Sequence, residues 1–428
     1  MALMPKPILA LSLAALLKAP LGAQAPPAAK AGQADREQPA PAAPMPEGDR
    51  IARWVASRSI LYPSRDDRGE ARTYSGRVYL PARADHPVPV PLVLYVHGSD
   101  VAFNSLPQFN RGYEAMVGAM AAYFYDYVVA MPDLPGYGLD PSGRPHPYCH
   151  AQSLARCALD MVRPALGVLE GEPFRWDGRL FILGYSSGGF GALAAVRELE
   201  NNPEYAGLPL TAAACMAGPF AFAESVRGFL ADPAPYQRPD IPAYLIRAFH
   251  DLYPDGGIFA PETALHPVLL EEGGAPGHQG TLPQWLDRCH CGPATARKIK
   301  RRLTGGPDTP VPAGAVVNAH WLRTQFLDPQ WPDTPVGRIL KENDLVGGWR
   351  PRAPMLLATS PTDECVPACN TYKLLEHWAQ GDCGPVEMYP LTLLGRGVDH
   401  ATGGVMALEK ALRWFNGPRF RAAPRSRL

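Results

Sequence analysis

The sequence lacks net charge: 41 Lys and Arg offset 41 Asp and Glu. No long-range field therefore draws the chain to nucleic acid or to an anionic membrane surface. It also lacks an apolar run long enough to span a bilayer, since the longest N-terminal one, Ile8 to Leu17, is short and is followed by Lys18. Large apolar residues are almost missing between Pro26 and Asp49, a stretch of Ala, Pro, Gly and Gln that has little to bury and reads as a linker or disordered lead-in, residues 26–50. No internal repeat is present. Cysteine is absent from the first 148 residues, and all eight follow: Cys149, Cys157, Cys215, Cys289, Cys291, Cys365, Cys369 and Cys383. Cys289-His290-Cys291 offers half of a metal site, but no second pair at ligand spacing follows, whereas a closed zinc site needs four ligands. Neither a metal nor a cofactor is expected.

What is present begins with an export signal. Lys6 precedes the apolar run, and the small residues Ala19, Gly22, Ala23 and Ala25 follow it, so residues 1–25 read as a signal peptide cut near Ala23 to Ala25. A retained amphipathic or disordered tail is the alternative. No Cys stands near the end of this segment, which argues against a lipid anchor. Export implies a secreted or periplasmic protein in an oxidising compartment, where disulfides among the eight cysteines are expected. The chain of 428 residues is 46% apolar and 19% charged, as a globular protein should be.

Beyond residue 50 the pattern alternates. Tyr74 to Leu80 alternates apolar and polar residues like a half-buried strand. Pro91-Leu-Val-Leu-Tyr-Val-His97-Gly98 is a continuous apolar run, as expected of a parallel strand covered on both faces. A helix over Arg111 to Tyr125, a buried strand over Tyr127 to Met131, a helix over Ala151 to Leu169, a strand over Arg179 to Leu183, a helix over Gly188 to Leu199 and a strand over Leu208 to Met216 follow. Repeated strand and helix alternation predicts crossover units on a mostly parallel sheet flanked by helices, an α/β fold. From Gly218 to Arg350 buried strands give way to scattered helical patches, chiefly Ala243 to Tyr253, Ala294 to Leu303 and Val316 to Phe326, with many Pro and Gly. Residues 218–350 therefore read as a mainly helical cap inserted into a core made of residues 51–217 and 351–428. The core resumes with a strand at Pro354 to Ser360, a helix at Ala368 to Gln380, a strand at Val386 to Tyr389 and a last helix at Gly404 to Phe415.

The chemistry concentrates at Gly184-Tyr185-Ser186-Ser187-Gly188-Gly189, which matches G-x-S-x-G between an apolar strand and a helix rich in small residues. That setting places a serine on a strained strand-to-helix turn, where side chains on the flanking glycines would collide with neighbouring backbone. Only Ser186 is centred between Gly184 and Gly188, which makes it the candidate nucleophile over Ser187. An alcohol needs a base within hydrogen-bond reach, and the base needs a carboxylate to hold its tautomer. Asp363, on the loop after the Pro354 to Ser360 strand, is the candidate acid, with Glu364 as its adjacent rival. His400, between the last strand and the last helix, is the candidate base. His97-Gly98 ends an apolar strand where an oxyanion loop is expected, so the backbone N–H groups of Ser99 and Ser187 are candidate oxyanion donors.

Together, Tyr95-Val-His97-Gly98, Pro132-Asp133-Leu-Pro-Gly136-Tyr-Gly138, His146-Pro-Tyr148, Leu159-Asp160-Met-Val-Arg163, Gly184-Tyr-Ser186-Ser-Gly188-Gly189 and Asp363 with Val366-Pro367 resemble the α/β-hydrolase superfamily. Within it they look most like secreted lipases with a cap inserted before the acid-bearing strand. The likeness covers roughly residues 75 to 415, strongly in the core and weakly across the cap. It implies hydrolysis of a small-molecule or lipid carboxylic ester through an acyl-enzyme, without a cofactor, by Ser186, His400 and Asp363. Three other readings stand beside this one: a serine peptidase related to the prolyl oligopeptidases, which normally carry an N-terminal propeller for which there is no room before Tyr74, a cutinase-like or polyester depolymerase, and a non-catalytic binding protein on the same fold. Ala243-Tyr-Leu-Ile-Arg-Ala-Phe249 and His320-Trp-Leu-Arg-Thr-Gln-Phe326 suit either a mobile lid over an acyl groove or ordinary helices packing a core face.

Overall fold

The structure is a computed structural model that describes residues 55–82, 88–99, 112–271, 281–282, 286 and 293–420. The signal segment 1–25, the linker 26–50 and Cys289 to Cys291 lie outside the described residues.

Eight strands form one sheet: β1 (Ser57–Arg65), β2 (Ala71–Tyr79), β3 (Val88–Val96), β4 (Val128–Pro132), β5 (Phe174–Tyr185), β6 (Leu210–Met216), β7 (Met355–Thr359) and β8 (Val386–Pro390). Their spatial order is β1-β2-β4-β3-β5-β6-β7-β8. The β1–β2 and β2–β4 pairs are antiparallel, and from β4 to β8 every pair is parallel. The helices α1 (Gly112–Tyr125), α2 (Ala151–Asp160), α3 (Ser187–Asn201), α4 (Phe222–Ala231), α5 (Asp240–Leu252), α6 (Pro293–Thr304), α7 (Ala319–Gln325), α8 (Pro335–Glu342), α9 (Cys369–Trp378) and α10 (His400–Phe415) lie between and after the strands.

The continuous apolar runs are explained by burial on both faces of the sheet. Leu92, Leu94 and Val96 of β3, with Leu180 and Ile182 of β5, join one core with α2 and α3. The alternate residues Val93 and Tyr95 of β3, with Phe181 and Leu183 of β5, join a second core with α1 and α10. Side chains of a strand alternate faces, so each run has to be apolar throughout.

Several boundaries differ from the sequence reading for identifiable reasons. The helix expected over Ala151 to Leu169 is two pieces, α2 and a short turn at Val162–Gly167. Pro164 has no N–H to donate, and its ring presses on the carbonyl four residues back. β1 was not expected at all: it is an edge strand whose residues are mostly exposed, with Tyr62 and Ser64 turned inward, so its apolar pattern is faint. β5 starts five residues earlier than expected, its polar first half pairing with Val88 to Val90 of β3.

Among the described residues of the 217–354 segment, no strand joins the main sheet; Pro235–Tyr236 and Val311–Pro312 form a separate two-stranded ribbon. The two aromatic stretches of this segment are core faces. Tyr244, Leu245, Ile246 and Phe249 of α5, and Trp321 and Phe326 at α7, are buried in the same apolar cluster as the sheet residues. The expectation of disulfides finds no support among the described residues: none is formed there, and Cys157, Cys215, Cys369 and Cys383 are free thiols. Cys157 sits instead against Tyr62, whose hydroxyl lies 3.1 Å from its sulfur, and burial pushes both the Cys157 and Cys215 thiols up. No helix among the described residues is long and apolar enough to cross a membrane.

Candidate active site

Ser186 stands alone between β5 and α3 at φ 60°, ψ −133°. A non-glycine residue rarely adopts such a backbone conformation, and it is held here by its surroundings. Ser186 N–H donates to Met216 O at 3.0 Å and its carbonyl accepts from Phe190 N–H at 3.1 Å. The glycines permit this close packing: a Cβ on Gly184 would collide with the Gly188 carbonyl, and one on Gly188 would lie 2.6 Å from His97 O. β5 is flanked by β3 and β6, so the turn sits at the middle of the sheet's C-terminal edge.

The loops after β7 and β8 converge on it. His400 Nε2 lies 2.8 Å from Ser186 Oγ, and His400 Nδ1 lies 2.8 Å and 2.9 Å from the two carboxylate oxygens of Asp363. The Asp363 side chain has no solvent exposure, while that of His400 keeps 16%. Asp363 Oδ1 also accepts the N–H groups of Cys365 at 3.0 Å and Val366 at 2.8 Å, which holds the carboxylate in place independently of the histidine. The segment leading to His400 is pinned by Ser360: its Oγ donates to Val398 O at 2.6 Å and accepts from Val398 N–H at 2.9 Å. Asp399 caps α10 by accepting from Thr402 N–H at 2.9 Å, and that hydrogen bond holds its carboxyl below the usual carboxylate range.

Three residues expected to act together are thus in one hydrogen-bonded line. Glu364, the rival acid, accepts the backbone N–H of His400 at 3.0 Å. The last helix begins at His400, four residues before the sequence suggested. Ser99 and Ser187 are both buried. Ser187 opens α3, where the first amide hydrogens lack an intrahelical acceptor. A methyl built on Gly98 would be 3.8 Å from Ser186 Cβ, which sets the His97–Ser99 segment beside the serine. The buried His97 ring spans this segment, with Nδ1 2.7 Å from Gly98 O and Nε2 3.1 Å from Asp133 O.

Sequence reasoning assigned no role to Tyr185, whose hydroxyl donates to the His400 carbonyl at 2.8 Å and whose ring lies 5.0 Å from the imidazole. The variable position of G-x-S-x-G carries no signal for that. From the segment between β6 and β7, Tyr236 comes near the site: burial first, and then the nearby Cys365 and Asp363 side chains, hold its hydroxyl well above the ordinary tyrosine range.

No protein-family model matches the sequence, and no curated protein does. Solved structures do match. The rice cell wall degrading esterase LipA from Xanthomonas oryzae superposes with a TM-score of 0.64 at 22% identity, covering 84% of this chain and 89% of that one. Lipase A of Candida antarctica in its closed state gives 0.60 at 16% identity, covering 89% of this chain and 81% of that one. The chain has the α/β-hydrolase fold. On this fold the serine turn follows β5, the Asp363 loop follows β7 and the His400 loop follows β8. The match extends over most of the chain.

Proposed function

We propose that the protein is an exported serine esterase that cleaves carboxylic esters of small molecules or lipids. The reading rests chiefly on one observation, the line from Ser186 Oγ through His400 to Asp363 with 2.8 Å at each step. In this reading Ser186 Oγ attacks the ester carbonyl while His400 Nε2 takes its proton. Asp363 keeps Nδ1 protonated and stabilises the imidazolium. The N–H groups of Ser99 and Ser187 bind the oxyanion, each worth on the order of 3 kcal/mol of transition-state stabilisation. Collapse expels the alcohol, which receives the proton from His400, and leaves an acyl-Ser186. Water, deprotonated by His400, then releases the carboxylic acid.

Residues 51–217 and 351–428 form the catalytic core in this proposal, and 218–350 a cap that shapes the substrate site. Residues 1–25 direct export to the periplasm or the outside. The likeness to an esterase and a lipase supports an ester as substrate, and no cofactor enters the scheme.

The experiment is hydrolysis of p-nitrophenyl esters of graded acyl length by purified protein, with Ser186→Ala as control. Activity that disappears in the variant supports the reading, and the chain-length optimum separates a lipase from a short-chain esterase. Fluorophosphonate labelling of Ser186 without ester turnover directs the search to peptides. Absence of both labelling and turnover overturns the catalytic reading in favour of a binding protein.

A further inference from the structure

His400 is the first residue of α10, so its amide hydrogen is one of those a helix leaves without an intrahelical acceptor. Glu364 meets that hydrogen with Oε2 at 3.0 Å. On the other side of the same residue, the Tyr185 hydroxyl donates to the His400 carbonyl at 2.8 Å. The two partners arrive from different elements. Glu364 neighbours Asp363 on the loop after β7, and Tyr185 ends β5 immediately before Ser186. The first turn of α10 is shaped around the tyrosine: a methyl added at Gly403 would lie 2.8 Å from its hydroxyl, and one at Gly404 3.1 Å from its ring.

We propose that Glu364 and Tyr185 are positioning residues that clamp the two peptide groups of His400 and thereby set the imidazole between Ser186 and Asp363. The inference rests on the esterase reading. An imidazole has only two side-chain torsions, so a shift of its backbone passes directly to Nε2. Each clamp is tied to a neighbour of a partner of the ring, Glu364 to Asp363 and Tyr185 to Ser186, so backbone and ring move as one unit. The Tyr185 hydroxyl also lies 3.5 Å from His400 Nδ1, on the side of the ring away from Nε2, the atom that faces Ser186 Oγ. Loss of one therefore lowers the fraction of enzyme with Nε2 aligned on Ser186 Oγ and leaves substrate binding alone.

The test compares Glu364→Ala, Glu364→Gln and Tyr185→Phe in the full chain, with three readouts: kcat and KM on a p-nitrophenyl ester, the rate of fluorophosphonate labelling of Ser186, and the thermal midpoint. Glu364→Ala and Tyr185→Phe are expected to lower kcat and the labelling rate by about tenfold, with KM unchanged. Glu364→Gln, which retains an acceptor oxygen, is expected to recover most of the loss. Unchanged kcat in Glu364→Ala and Tyr185→Phe overturns the inference, as does a Gln variant no better than Ala, or a loss that only tracks the folded fraction. Failure of the underlying reading looks different, because wild type itself then shows neither turnover nor labelling.

Discussion

Arg144 Nε donates to Asp251 Oδ2 at 2.6 Å, while its terminal nitrogens donate to the two oxygens of Asp67 at 2.7 Å and 3.0 Å. One guanidinium thereby joins the β1–β2 turn, the loop after β4 and the end of α5. These carboxylates push its ionisation above the ordinary arginine value even though burial works against them.

Replacing Arg144 by Met removes the shared cation and leaves Asp67 and Asp251 without that partner, while Arg72 still holds Asp66 at 2.7 Å. The groups are partly exposed, so the expected cost is about 1–3 kcal/mol, read as a lower urea midpoint with unchanged slope. Arg144→Lys should recover little, since a single ammonium cannot reproduce the forked contact. The labelling rate of Ser186 in the folded Met variant should match wild type.

Glycines give a sharper contrast. Gly188→Ala would drive a Cβ against the His97 carbonyl at 2.6 Å and into Val96 O, both of them backbone in a packed sheet. The expected outcome is loss of soluble folded protein. Gly228 lies exposed inside α4 with nothing within 4 Å of its would-be Cβ. Gly228→Ala should raise stability by about 0.5–1 kcal/mol, because alanine favours the helix and narrows the unfolded ensemble. The soluble yield of Gly188→Ala and the thermal midpoint of Gly228→Ala check the two statements.

These cases show where the sequence was readable. The serine turn was legible because geometry dictates it: glycines that admit no Cβ, between an apolar strand and a small-residue helix, leave one kind of turn. The order of serine, acid and histidine followed from the strand order. Loop position alone selects Asp363 over Glu364, since adjacent acids on a loop differ only in which one turns inward; in the structure Asp363 turns inward and accepts the Cys365 and Val366 amides. Tyr185 was invisible because its partner is a backbone carbonyl, which no side-chain pattern encodes. The disulfide expectation finds no support among the described residues, since cysteine number speaks to compartment, whereas Cys157 and Cys215 are placed as small apolar fillers of the core. Edge strand β1 was missed because one exposed face and an interior proline erase its alternation.

Asp344 predicts a pH effect on stability. It accepts from the Ala223 N–H at 2.9 Å at the start of α4, and burial raises its pKa to about 6. A folded-state pKa above the unfolded value means that the group favours folding at low pH and that this contribution is lost as pH rises through about 6. Asp344→Asn keeps an acceptor oxygen and carries no charge. It should therefore be more stable than wild type by about 1–2 kcal/mol at pH 8, after allowance for partial exposure. The difference should close as pH falls below about 4, the ordinary carboxyl range. Urea unfolding at several pH values measures it, and a pH-independent difference would remove Asp344 ionisation as the cause.

Asp363→Asn tests the tautomer that the esterase reading requires. The carboxylate accepts from Nδ1, which leaves Nε2 bare to take the Ser186 proton. An asparagine in the same place can turn its NH2 toward Nδ1, so the ring proton moves to Nε2 and points at Ser186, where the imidazole no longer serves as a base. A fall in kcat/KM on the order of 10⁴ is expected at neutral pH, with the thermal midpoint little changed because the Cys365 and Val366 amides still find an oxygen. Glu364→Gln under the same conditions should lose far less. A drop below tenfold in Asp363→Asn would mean that the carboxylate does not set the tautomer, and Asp363 would lose its assigned role beside His400.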